Sequence, residues 1–289
     1  MPIPQVAYFP QDNRDHKIEM VDLVQLSKRK SRLDHNPQQP HRVEFYVLIY
    51  IEEGAGKHFV DFTYHPFQAG DFIFIHKDQI QAFDLSHTLK GTAILFTTEF
   101  VEQLQAYMNF PLFSPYFLSD DKAPVFGPSK DVRLSCQNLL VELHQEAGRN
   151  ENDNTILMSL FSVLIQLLGR ARFQSDAVSV VKGRRRIDQF LTLVQQNYRQ
   201  TRDAKDYARR LNMTYKTLNQ ICKAQTRKTA KQLIDGYVLL EAKRRLTLEE
   251  KSVQEIAFNM GFDDPSNFIK FFKRQSDRTP RQFQENSGS

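Results

Sequence analysis

The last third of this 289-residue chain states one pattern twice, about 50 residues apart. Lys223, Gln225, Thr229 and Gln232 recur as Lys273, Gln275, Thr279 and Gln282, and the apolar positions of residues 218–233 recur with them in residues 268–283. Just upstream, Ala208 and Leu211 correspond to Ala257 and Met260, each pair standing ahead of a short turn. A small residue inside one helix, a tight turn and a second helix rich in polar and basic side chains is the build of a helix-turn-helix. A tandem pair predicts an all-α unit that meets DNA at two points.

Single positions support the pattern. In the first copy Asp203 is placed to cap a helix whose inward face carries Ala204, Tyr207, Ala208 and Leu211. Asn212 takes the turn, where a short polar side chain tolerates left-handed backbone. Thr214 then caps a second helix with Leu218, Ile221 and Cys222 inward. In the second copy Ser252 and Glu255 have capping-box spacing, Ile256, Ala257 and Met260 face inward, and Gly261 takes the turn. Asp264 and Pro265 begin the next helix as cap and first-turn proline, with Phe268, Phe271 and Phe272 packed down.

Removing the buried positions leaves two outward sets. One holds the cap Thr214 with Lys216, Thr217, Asn219, Gln220 and Lys223; the other holds Ser266, Asn267, Lys270 and Lys273. Asn, Gln and Lys read base edges, while Ser, Thr and Lys also hold phosphates. A helix predicted over residues 229–247, with Ile234, Val238, Ala242 and Leu246 as its apolar stripe, joins the copies. At 1.5 Å per residue it spans about 28 Å, close to a duplex turn of about 34 Å, so both recognition helices fit successive major grooves on one face.

Charge follows the same division. From Arg184 onward 22 Lys plus Arg face 12 Asp plus Glu, whereas the preceding residues hold 17 against 22. A polyanion is drawn to the back of the molecule and not to the front. Cys136 and Cys222 each sit in an apolar helical pattern, which reads as reduced core packing in a cytoplasmic protein. The N-terminus lacks a signal-peptide layout, and the apolar stretch 155–169 is too short for a bilayer. No membrane association is expected.

The front half reads as β structure. Residues 43–51 form a β-branched and aromatic run closed at Glu53, Gly54, Ala55 and Gly56, which are predicted to make a hairpin turn. Residues 58–64, 72–75, 81–83 and 92–97 continue a series of short strands, a spacing that favours a sandwich or small barrel. Phe45, Val47, Ile49 and Ile51 share one face, and Glu44, Tyr46, Leu48 and Tyr50 the other; alternation alone does not say which lines the interior. Helical periodicity begins at Phe100, and the helix from Ile156 to Leu168 is apolar over an arc wide enough for a domain core or a subunit interface. The predicted organisation is a domain over residues 1–172, a linker over 173–184 and a helical domain over 185–285.

Catalytic patterns are lacking. His58, His65 and His76 include no His-x-His pair, residues 54–57 lack the remainder of a phosphate loop, and there is no GxSxG. No cofactor, no metal and no enzymatic activity are expected.

Residues 187–283 resemble the DNA-binding domain of the AraC/XylS family of bacterial transcription regulators. The likeness is carried by Ile256, Ala257, Gly261, Phe262, Asp264, Ser266, Phe268, Phe272, Lys273, Thr279 and Pro280, and more loosely by Glu241, Ala242, Lys243 and Arg244. Arg227 and Asp277 depart from it where a turn glycine is common, Val238 where a basic residue is common, and Gln220 and Lys270 where an arginine is frequent. Residues 42–96 resemble the cupin-like, jelly-roll barrel of the same family, through Gly54, Gly56, His58, Asp61, Gly70, Asp71 and Gln79 to Phe83. The resemblance implies a barrel that binds a small-molecule effector, following helices that pair two subunits into a homodimer, and an activator that meets promoter DNA and RNA polymerase. Phe45, Gln81 and Phe83 are the candidate pocket residues, Gln81 standing where relatives often carry histidine. A cupin-type metalloenzyme fused to a DNA-binding tail and an effector-independent DNA binder are the alternatives; metal content with turnover would mark the first, weak sequence preference the second.

Overall fold

The computed structural model describes residues 4–7, 17–28, 36–83, 89–108, 123–149, 155–172, 178–248 and 251–287. The chain divides into two compact units, with the main break between residues 176 and 177.

The N-terminal unit opens with β1 (Gln5–Val6), β2 (Ile18–Asp22), α1 (Leu23–Lys28), β3 (His41–Val43), β4 (Tyr46–Glu53), β5 (Ala55–Val60) and β6 (Thr63–Gln68). It continues with β7 (Phe72–Ile75), β8 (Ile80–Ala82), β9 (Lys90–Phe96), α2 (Thr98–Met108), β10 (Val125–Phe126), α3 (Lys130–Ala147) and α4 (Thr155–Arg172). The strands form two five-stranded sheets, ordered β1-β3-β8-β5-β6 and β10-β7-β4-β9-β2.

Both faces of β4 are buried, which is why residues 46–51 read as one apolar run. Val47, Ile49 and Ile51, preceded by Phe45, join Val43, Val60, Phe67, Ile73, Ile75, Phe83 and Ala93 in one core cluster drawn from both sheets. The opposite face meets helices. Tyr46 stacks on Phe96 at 5.5 Å, Phe96 meets Phe100 of α2 and Phe161 of α4, and Gln137 of α3 donates to the Tyr50 hydroxyl at 2.6 Å. The α4 stripe therefore serves the domain core through Leu157, Phe161, Leu164 and Leu168, all buried.

One expected turn is of a different kind. β4 pairs with β7 and β9, and β5 pairs with β6 and β8, so Gly54 carries the chain from one sheet to the other and closes no hairpin. Its φ of +102° supplies the change of direction. The hairpin lies one strand later, at Asp61 and Phe62, both with positive φ. No glycine marks that turn; instead the Asp61 carboxylate accepts from the Ile80 amide at 3.2 Å and the Gln79 side chain at 2.7 Å.

The C-terminal unit is helical: α5 (Val178–Asn197), α6 (Ala204–Arg210), α7 (Tyr215–Thr226), α8 (Ala230–Leu248), α9 (Val253–Asn259), α10 (Pro265–Ser276) and α11 (Pro280–Ser287). α5 begins at Val178, within the stretch expected as linker. Once the apolar stripe of Ile187, Phe190, Leu191 and Val194 is packed, adding a turn ahead of it costs far less than nucleating one. Residues 173–177 lie outside the described residues.

α8 is the hub. Every other helix of the unit packs on it, and it is buried on more than the one expected stripe, through Leu233, Ile234, Tyr237, Val238, Ala242 and Leu246. Val238, a departure from the family resemblance, is fully enclosed in the core. Arg244 and Glu241 form a buried ion pair at 2.6 Å on the same helix. Such a pair adds little net stability, but removing one partner strands the other charge in the interior. Both thiols are buried and unlinked; burial pushes Cys136 up to about 11 and Cys222 up to about 12. No helix among the described residues is long and apolar enough to cross a membrane.

Candidate nucleic-acid interface

Both copies form helix-turn-helix units, and each of their four helices begins at a side-chain cap. Asp203 accepts from the Lys205 amide at 2.9 Å and Ser252 from the Glu255 amide at 3.2 Å, the latter closing a full capping box. The turns follow with positive φ, +52° at Asn212 and +76° at Gly261. Thr214 accepts from the Thr217 amide at 3.1 Å to begin α7, and Asp264 from the Ser266 amide at 2.7 Å to begin α10. That last bond holds the Asp264 carboxyl below the usual range, as the Ser252 bonds do for Glu255.

Arg227 and Asp277 both adopt the left-handed conformation that a turn glycine favours. They end α7 and α10 at φ/ψ of 58°/4° and 59°/9°, each donating its amide to the equivalent lysine carbonyl, Lys223 or Lys273. Much of the sequence repeat is likewise structural. Thr229 and Gln232 exchange backbone-to-side-chain bonds at 2.8 and 3.2 Å, and Thr279 and Gln282 at 2.9 and 3.3 Å. These are reciprocal caps for α8 and α11, not outward contacts.

The outward sets remain largely intact. Thr214, Lys216, Thr217, Gln220 and Lys223 are exposed on the first unit, and Ser266, Asn267, Lys270 and Lys273 on the second. Asn219 is a correction. It is half-buried, and its side-chain oxygen accepts the Ala230 amide at 2.9 Å, satisfying an N-terminal donor of α8. Its helical phase borders the core, and a two-sided wheel misplaces such positions.

Three further side chains lie on the same surfaces. Tyr215 and Ile269 are 42% and 38% exposed, and Arg274 is exposed beside Lys273. Their signal is an apolar or cationic residue at an outward helical position, where an apolar tip suits the methyl group of thymine. Within the C-terminal unit a cleft of about 720 Å³ lies between the two helix-turn-helix copies, lined among others by Arg199, Arg202, Lys205, Tyr215, Lys231, Gly261 and Asp263.

In the N-terminal unit, Phe45, Gln81 and Phe83 are all buried, Phe45 and Phe83 in the core cluster between the sheets. His58 joins them: its Nε2 lies 3.2 Å from Gln81 Oε1, and its ring stands edge-on to Phe83 at 5.2 Å. Complete burial pushes this imidazole down to about 4, so it is neutral at physiological pH and donates Nε2–H to the amide oxygen. His41 stacks near Phe83 at 6.5 Å. The sequence singled out His58 for the likeness to the barrel and not as a pocket residue. Among the described residues no group of three or more His, Cys, Asp or Glu is placed to hold a metal ion.

Comparison with known proteins meets the same two units. Residues 31–161 match the family described as AraC-like ligand binding domain, and residues 207–286 match a helix-turn-helix domain. The chain is 22% identical over 284 residues to the HTH-type transcriptional activator RhaS of Shigella dysenteriae serotype 1 (strain Sd197), covering 98% of this chain and 96% of the relative. It is 22% identical over 254 residues to RhaS of Klebsiella pneumoniae (strain 342), covering 88% and 90%. Among solved structures, ToxT from Vibrio cholerae O395 aligns at 13% identity over 84% of this chain and 89% of that one, with a TM-score of 0.42.

Proposed function

The chain belongs to the AraC/XylS family of transcription regulators, and from that premise we propose that it activates transcription by setting α7 and α10 into successive major grooves of promoter DNA. The observation that carries this reading is the repeated recognition unit: two helices each capped at both ends, with exposed polar and basic faces, both packed on one central helix. Thr214, Lys216, Thr217, Gln220 and Lys223 work in one groove, and Ser266, Asn267, Lys270 and Lys273 in the next, with Tyr215 and Ile269 as apolar readers. The working division is an effector and dimerisation domain over residues 1–172, a connection beginning at 173, and a DNA-binding domain to residue 285, acting in the cytoplasm.

The effector occupies the interior of the N-terminal unit beside Phe45, His58, Gln81 and Phe83. A neutral imidazole hydrogen-bonded to an amide in an apolar shell suits an uncharged ligand with hydroxyl or amide groups. Two subunits pair through α3 and α4. Leu134 and Val141, seven residues apart on α3, and Ile156 and Val163, seven apart on α4, are 60%, 55%, 53% and 45% exposed on helices that pack together. The effector shifts the population competent to place both readers, and an activating contact with RNA polymerase follows by analogy with the family. No catalytic step is assigned.

Genome-wide mapping of bound DNA, followed by binding titrations on the recovered site, tests the reading. A site of two half-sites about one duplex turn apart, bound about 10³-fold or more above random sequence, is the expected result. Equal affinity for random DNA would overturn it.

A further inference from the structure

α8 is an apolar coupling between the two DNA-reading units, and apolar packing is not directional. A second connection is. Arg202 stands in the segment between α5 and α6, one residue before the Asp203 cap of the first unit. Its guanidinium carbon lies 3.6 Å from the centroid of the Phe262 ring, and its Nη2 donates to the carbonyl oxygen of Gly261, both in the turn of the second unit. On its other contacts Phe262 meets Phe268 at 5.2 Å and Phe271 at 5.6 Å, so the stack continues into α10 itself.

The backbones close together at the same place. A Cβ on Gly261 would fall 2.0 Å from the Arg199 carbonyl oxygen, so the segment before α6 lies directly against the second turn. From below, Lys231 of α8 donates to the Arg202 carbonyl at 3.4 Å and to Asp235 at 2.6 Å. Arg202 is thus held by its own backbone to the central helix and grips the second turn with its side chain.

We propose that Arg202 is a positioning residue that fixes the separation and twist of α7 and α10, and so sets the half-site spacing this protein accepts. The proposal rests on the reading of both units as DNA readers. The chemistry needs arginine in particular. A planar guanidinium stacks on an aromatic face while its edge donates to a carbonyl, and a lysine ammonium does not reproduce both. Changing the spacer by one base pair turns one half-site by about a tenth of a helical turn relative to the other. A locked pair of readers must then strain or give up contacts.

The test uses the full chain with Arg202→Ala and Arg202→Lys, both checked by thermal melting. Affinity is measured on the native site, on sites with one base pair added to or removed from the spacer, and on each half-site alone. Wild-type protein should lose about tenfold or more per spacer change, the size of one lost base contact. Both variants should bind the native site about tenfold more weakly, flatten that spacing dependence to within about threefold, and bind single half-sites as wild type does. The slope of affinity against salt should stay unchanged, because a lost phosphate contact would lower it by about one. Retained spacing discrimination in a folded variant, or equal weakening on native site, altered spacers and half-sites alike, overturns the proposal. If Arg202→Ala melts early, Arg202→Lys decides. Wild-type protein with no preference for any two-half-site DNA would instead refute the functional reading beneath it.

Discussion

Replacing Gly261 with alanine should disable the second reader more severely than any single change on its DNA-facing surface. Gly261 has φ +76°, and an L-residue with Cβ pays about 1–2 kcal/mol for left-handed backbone. The added carbon would also meet the Arg199 carbonyl oxygen at 2.0 Å, its carbonyl carbon at 2.7 Å and its Cα at 2.9 Å. These are backbone atoms and no rotamer change clears them, so the turn must move by more than an ångström; overpacking of this kind costs about 1–3 kcal/mol. The two terms together give roughly 2–5 kcal/mol, a large share of the stability of a domain this size. Melting of the C-terminal unit should drop by on the order of 10–20 °C, read by hydrogen exchange in α9 and α10, while exchange in the N-terminal sheets stays unchanged. The matched control is Asn212→Gly at the corresponding step of the first unit, φ +52°, which should change stability by less than about 1 kcal/mol. A Gly261→Ala protein that melts with wild type and binds the native site normally would refute the argument that this approach of backbones holds the two helix-turn-helix copies together.

The remaining expectations concern other links. Gln220→Ala and Lys270→Ala should each cost about 1–3 kcal/mol on the native site and relax preference at the bases they meet; equal losses on random DNA would reassign them to phosphate contacts. Arg227→Gly and Asp277→Gly should each stabilise the C-terminal unit by up to about 1 kcal/mol, Arg227 more, because the left-handed caps at φ +58° and +59° suit glycine and aspartate tolerates them better than arginine; an unchanged or lower melting temperature contradicts this. His58 is buried and neutral, so the unfolded chain takes up a proton below its ordinary value of 6.5 that the folded chain refuses until about 4. Stability of the N-terminal unit should therefore fall across that window by on the order of 3 kcal/mol as pH drops, and His58→Gln should flatten the melting-versus-pH profile there.

Local chemistry made the helical unit legible. Caps, turns and apolar phase act over three or four residues, so Asp203, Thr214, Ser252 and Asp264 declared the starts of α6, α7, α9 and α10 without help from the fold. The tandem repeat itself mixed two messages. Lys223 and Lys273 face outward, whereas Thr229, Gln232, Thr279 and Gln282 recur because each copy needs the same reciprocal cap. Both have identical spacing on the page, and only hydrogen-bond partners separate them.

Strand pairing was decided elsewhere. Hydrophobic alternation in residues 46–51 named two faces but not their neighbours, because burial of either face depends on partners far along the chain: β7 and β9 beside it, and α2, α3 and α4 beyond. The same is true of Gly54, whose composition suits a hairpin and whose strands pair elsewhere, and of Asn219, turned inward by the unsatisfied amide of Ala230. The sequence by itself determined which segments coil, where they start and that two of them present alike surfaces, since those outcomes follow from short-range sterics and periodicity. Tertiary structure alone brought Arg202 onto Phe262 and His58 onto Gln81, contacts that span 60 and 23 residues and form only when separate elements are packed against one another.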